Sequence, residues 1–190
     1  MGADSLDELC ARARACRVCE SHLPLGPRPV FRVSASARIL IISQAPGTKV
    51  HATGVPFNDA SGDRLRHWMG VDRETFYDAS RIALMPMGFC YPGRLPNGGD
   101  APPRPECAPL WHDAFVTLLP KIGLTLLVGG YALSRYLGSG SMTNHVRSGS
   151  RDGVVALPHP SWRTIGWEAR HPWFGDEVLP RLREALARCL

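Results

Sequence analysis

The chain has 190 residues, 44% hydrophobic and 21% charged, which is enough for one well-buried core and unlike a disordered segment. Lys and Arg outnumber Asp and Glu by 22 to 17, an excess that suits a polyanionic partner without requiring one. The N-terminal stretch MGADSLDELCARARAC shows no secretory signal and no apolar run reaches the ~18 residues of a membrane helix, so a cytoplasmic protein with reduced thiols and no membrane contact is expected.

In chain order, RILIIS (38–43) is a short β-branched apolar run, the pattern of a strand buried on both faces. ASGDRLRHWMGV (60–71) follows as a helix, with Ser61 as N-cap and Leu65, Trp68 and Met69 on one face. RIALMPMGF (81–89) reads as a second strand of which Pro86 lets only part pair. PLWHDAFVTLLPKI is a helix from near Pro109, LTLLVGG (124–130) a third strand, and YALSRYLG a helix closed by Gly138. The stretch 138–153 is polar and basic and reads as a flexible loop. GVVALPHPS is a fourth strand running into a loop, and DEVLPRLREALARCL a C-terminal helix that tolerates Pro180 near its start. Strands alternating with helices predict one α/β domain over 1–190, a three-layer α/β/α sandwich around a mainly parallel four-stranded sheet. In such folds the chemistry sits at the carboxyl ends of the strands. Three unusual stretches fall there: SQAPG, GFCYPG and HPSW.

Four of the six cysteines form a pattern: Cys16 and Cys19 as C-x-x-C, then Cys90 and Cys107 on either side of a Pro- and Gly-rich loop. Four thiolates suit tetrahedral zinc or a [4Fe–4S] cluster, and spacing does not choose between them. Cys10 and Cys189 fit neither pattern and are read as spare thiols.

Taken together, these stretches resemble the uracil-DNA glycosylase superfamily over nearly the whole chain, and most of all its iron–sulfur branches, families four and five. The four cysteines match those branches in order and spacing. The strand-end motif of the type G-E-A-P-G appears as S43-Q-A-P-G47, the G-R-P-F motif as G54-V-P-F57, and the closing H-P-S as H159-P-S161. The resemblance implies a [4Fe–4S] cluster on Cys16, Cys19, Cys90 and Cys107 rather than zinc. It also implies a monomeric DNA-repair glycosylase that acts on DNA containing uracil, with Phe57 stacking on the flipped base. The chain departs from the pattern twice. Gln44 replaces the carboxylate of family four, and in family five an Asp after the stacking Phe is thought to serve, for which Asp59 is the counterpart. Pro86 occupies the position of the uracil-reading Asn.

Breaking an N-glycosidic bond leaves positive charge on the sugar and negative charge on the base. Asp59 is expected to stabilise the cation and hold water, although alone it would read as a helix cap. His159 and backbone N–H groups of the 44–47 turn are expected to hold the base anion. Gln44 can position water or base, and Ala45, Gly47 and Gly88 complete the base-binding set. The basic, aromatic loop after Ser161 is expected to grip DNA, with Trp162 or Arg163 as the wedge, and Arg147 and Arg151 to touch phosphates. Two other readings remain. One is a glycosylase for hypoxanthine or xanthine, because the Asn is gone. The other is an iron–sulfur protein that holds uracil or abasic sites with little turnover, because Gln44 replaces a carboxylate.

Overall fold

The computed structural model describes residues 5–96, 98–148 and 153–190. Its centre is a four-stranded sheet, β1 (Ile39–Ile42), β2 (Ile82–Leu84), β3 (Leu124–Val128) and β4 (Val154–Leu157), in the order β2-β1-β3-β4. Every pair is parallel, with Ile39 opposite Ile82 on one side and Leu124 on the other. All four β1 residues are 3% exposed or less. Successive strand side chains point to opposite faces, so helices must cover both, and the predicted three-layer architecture stands.

The helices are α1 (Leu6–Arg14), α2 (Thr48–Thr53), α3 (Ala60–Met69), α4 (Arg73–Tyr77), α5 (Cys107–Thr117), α6 (Gly130–Leu137), α7 (Met142–Arg147), α8 (Ile165–Arg170) and α9 (Leu179–Ala187). Helix α3 packs on α9 and α1 on α5. Arg183 ties the first pair together by donating to the carbonyls of Trp68 and His67 at the end of α3. The free edge of β2 is not left open. Arg32 and Leu84 exchange backbone hydrogen bonds of 2.9 and 2.7 Å in an antiparallel bridge, which blocks pairing with another chain.

Four local expectations change. Helix α3 is capped by Asp59, not Ser61: the Asp59 carboxylate accepts from the Gly62 N–H at 2.9 Å. Helix α5 starts at Cys107, ahead of Pro109. The 138–153 stretch contains α7, capped by Ser141 and anchored by buried Val146. A π-helical segment, Phe174–Val178, leads into α9, which starts at Leu179 with Pro180 in its first turn. As expected, Pro86 shortens β2. Beyond it the Met85 and Met87 N–H groups still donate to Ile41 and Ser43, so the backbone follows β1 past the regular pairing. Among the described residues, no helix is long and apolar enough to cross a membrane.

Candidate active site

The strand order reverses at β1, whose neighbours β2 and β3 run off in opposite directions, and a crevice is expected at the carboxyl end there. It holds a cavity of about 670 Å³ lined by Gln44, Ala45, Gly47, Phe57, Asp59, Pro86, His159, Ser161, Trp162 and Arg163, among others. Six separate chain segments contribute to its lining.

The turn after β1 is set by backbone. The Gly88 N–H donates to the Gln44 carbonyl at 3.0 Å, and Gly47 stands in extended conformation as the N-cap of α2. Gln44, Ala45 and Gly47 are all partly exposed to the cavity.

Phe57 is held under strain. Its φ of 54° is the sole positive value on a non-glycine residue among the described residues, a conformation bulky side chains seldom adopt. The surroundings impose it. A Cβ on Gly62 would lie 1.8 Å from the Phe57 carbonyl oxygen, so only glycine there lets the loop close on α3. The Tyr77 hydroxyl donates to the Pro56 carbonyl at 2.8 Å, and buried Arg66 reaches the Phe57 carbonyl at 3.4 Å. The Phe57 ring meets Phe76 edge-on, with centroids 5.8 Å apart.

Asp59 is half-buried at the cavity wall, with one oxygen committed to the α3 cap. His159 follows β4, and its carbonyl accepts from the Ser161 N–H at 2.8 Å and from the Thr164 hydroxyl. Gly129, at φ 89°, lies against it: a Cβ there would be 3.2 Å from that of His159. Burial pushes the His159 pKa down and the nearby Asp59 pushes it partly back, so the imidazole is neutral at neutral pH. Beyond it Trp162 is 75% exposed, with the Arg163 guanidinium 5.5 Å from its ring centre.

Two expected members lie elsewhere. Gly88 does not line this cavity but faces a second, apolar one. Arg147 is exposed on α7, 5.1 Å from the Trp173 ring centre and outside the cavity wall. Arg151 falls outside the described residues. Sequence reasoning missed the hairpin at 93–101, which brings Arg94, Gly98, Gly99 and Asp100 into the cavity. Its PNGG stretch is a turn signal, but its place over the cavity is a tertiary matter. It also missed His112, fully buried, whose Nε2 donates to the Pro86 carbonyl at 3.0 Å while Nδ1 accepts from the Tyr136 hydroxyl at 2.7 Å.

The second cavity gathers Cys16, Cys19, Cys90 and Cys107 with Gly88, Arg104, Glu106 and Trp111. All four cysteines are free thiols. Burial pushes Cys90 up to about 11 and Cys107 up to about 12, so bound positive charge would be needed to keep them as thiolates. The Phe89 N–H already donates to the Cys107 sulfur at 3.3 Å. Arg104 Nε and Trp111 Nε1 are buried without a hydrogen-bond partner beside the thiols. Among the described residues no three His, Cys, Asp or Glu side chains are grouped to hold a single metal ion.

The α/β sheet of this order carries at its carboxyl edge a cavity that offers one aromatic face, a carboxylate and an imidazole. The family model of the uracil DNA glycosylase superfamily matches residues 31–183, and the chain belongs to that superfamily. It is therefore a DNA glycosylase, a hydrolase of DNA repair. Phe57, Asp59 and His159 lie inside the matched span, as do Cys90 and Cys107, whereas Cys16 and Cys19 precede it.

Proposed function

We propose that the protein excises uracil from DNA by hydrolysing the N-glycosidic bond, leaving an abasic site without cutting the strand. The observation that carries this reading is the convergence of Phe57, Asp59, His159 and the 44–47 turn on one cavity. A base in a duplex must be flipped out to be reached. Stacking on Phe57 returns about 1–3 kcal/mol of that cost. Asp59 stabilises the positive sugar from a fixed position, because the α3 cap holds its other oxygen. Neutral His159 donates an N–H to the departing anion, joined by backbone N–H groups of the turn. Each such donor contributes about 3 kcal/mol. Gln44 orients water or base without carrying charge. Trp162 and Arg163 at the mouth engage the duplex.

Cys16, Cys19, Cys90 and Cys107 would hold a [4Fe–4S] cluster, to which Arg104 and Trp111 offer N–H donors. Zinc is the alternative occupant of four such thiols. When bound, the group supplies structural bracing of the loops and takes no part in the reaction.

A second reading rests on Pro86, which lines the cavity where a base-reading amide would stand. It keeps the reaction and changes the base to hypoxanthine or xanthine. Oligonucleotides with a single uracil, hypoxanthine or xanthine, incubated with the protein and then cleaved by alkali, separate the readings. Cleavage at uracil is expected. Cleavage at only the purines would shift the substrate, and cleavage at none would leave a binding protein.

A further inference from the structure

Residues 93–96 and 98–101 come together as the two arms of a hairpin. The Ala101 N–H donates to the Gly93 carbonyl at 2.8 Å and the Leu95 N–H to Gly99 at 3.0 Å, and Arg94 and Asp100 pair as an antiparallel bridge. The hairpin is anchored at both sides of the cavity. On one side the Arg163 guanidinium lies 2.9 Å from where a Gly99 Cβ would be. On the other, a Cβ on Gly47 would lie 3.4 Å from Asp100 Oδ2. Asp100 thus enters the same cavity as Asp59, and a second carboxylate faces the reaction space.

The two carboxylates are not equivalent. Asp59 is fixed by its cap bond to α3. Asp100 is carried on the hairpin, and its oxygen overlies the glycine that ends the 43–47 turn. Its pKa is raised, by partial burial first and by Asp59, against the opposing pull of Arg94 and Arg163. The fourth titratable neighbour in the cavity is His159. When two carboxylates share a site in unlike environments, their roles divide.

We propose that Asp100 is the proton acceptor for the water that attacks the sugar, an assignment that rests on excision as the reaction. The water oxygen forms its bond to C1′ as the C1′–N bond breaks, and the bonding electrons leave with the base. One water proton passes to the Asp100 carboxylate and from there to the base anion, so charge and protons balance. Asp59, held by its α3 cap bond, stabilises the cation. A positioned general base contributes about 10²-fold or more.

Single-turnover excision of uracil, followed downward from about pH 8 to about pH 4, tests the assignment, since burial raises the Asp100 pKa from its ordinary value. In the parent protein the rate falls on the acid side as Asp100 protonates. Asp100→Asn is expected to slow excision at neutral pH by roughly 10²-fold with DNA affinity unchanged, and to abolish that acid limb. Asp100→Ala should be restored in part by added formate, a small carboxylate that can take the vacated place. An Asp100→Asn protein with the parent rate and the parent acid limb overturns the proposal. So does an Asp100→Ala protein that formate does not restore and that has lost DNA affinity, since the hairpin would then be only structural. A parent protein that leaves uracil in place overturns the excision reading itself and this assignment with it.

Discussion

The two cavities lie back to back across the same backbone and are built on opposite principles. The Gly88 N–H on the cysteine side donates to the Gln44 carbonyl on the DNA side. One cavity is open and rimmed by charge, and it keeps a phenylalanine in a backbone conformation that several neighbours must enforce. The other is apolar, and it holds four thiols whose ionisation burial opposes. On the proposed reading, the exposed groups of the first cavity would meet the substrate, and the withdrawn thiols of the second would brace the fold.

The largest effect should come from breaking the second. Cys107→Ser removes a proposed ligand at the start of α5, and the absorption near 400 nm expected of a cluster should vanish with most of the soluble yield. The remaining soluble protein should still excise, measured per folded molecule. Excision lost in proportion to iron, with the fold intact, would abolish the division between the cavities. In the first cavity, Asp59→Asn removes charge but keeps size. Single-turnover excision should fall by about 10²–10³, or about 3–4 kcal/mol, with DNA affinity nearly unchanged.

His112 joins the two regions, stacked on Phe89 beside the cysteines and bonded to Pro86 in the active cavity. Burial lowers its pKa to about 4. The unfolded chain therefore binds a proton that the folded one refuses, and stability falls as pH drops from about 6.5 toward about 4. The full loss is about 3 kcal/mol, seen as a lower urea midpoint, and His112→Gln should flatten that slope. Phe57→Ala should have the smallest effect, about 1–3 kcal/mol, and it should weaken capture of the flipped base more than bond breaking.

What was legible in the sequence was what is local. RILIIS and LTLLV declare buried strands because short continuous apolar runs bounded by turn residues have few other uses, and the turns after them carry their motifs in consecutive residues. The four cysteines stand out in the sequence by spacing and resemblance, and all four line one cavity. The helix α7 was not legible, because six polar-rich residues with one buried Val146 leave almost no periodic signal. The cap was misplaced by two residues, since Asp59 and Ser61 are both good caps and only the path of the 54–58 loop chooses. The sequence does not show which cavity Gly88 faces, because a glycine has no side chain to set its side. Asp100 was passed over because nothing in PNGGD says that the hairpin folds back onto Gly47.

The left-handed backbone at Phe57 also makes this position a gauge of selection. Glycine and asparagine adopt such a φ at less cost than phenylalanine does. A library randomised here and sorted for thermal resistance alone should drift toward them, shedding the strain together with the aromatic face. Sorted for excision, the same library should return to flat rings. The residue recovered then tells which of the two pressures a lineage has felt.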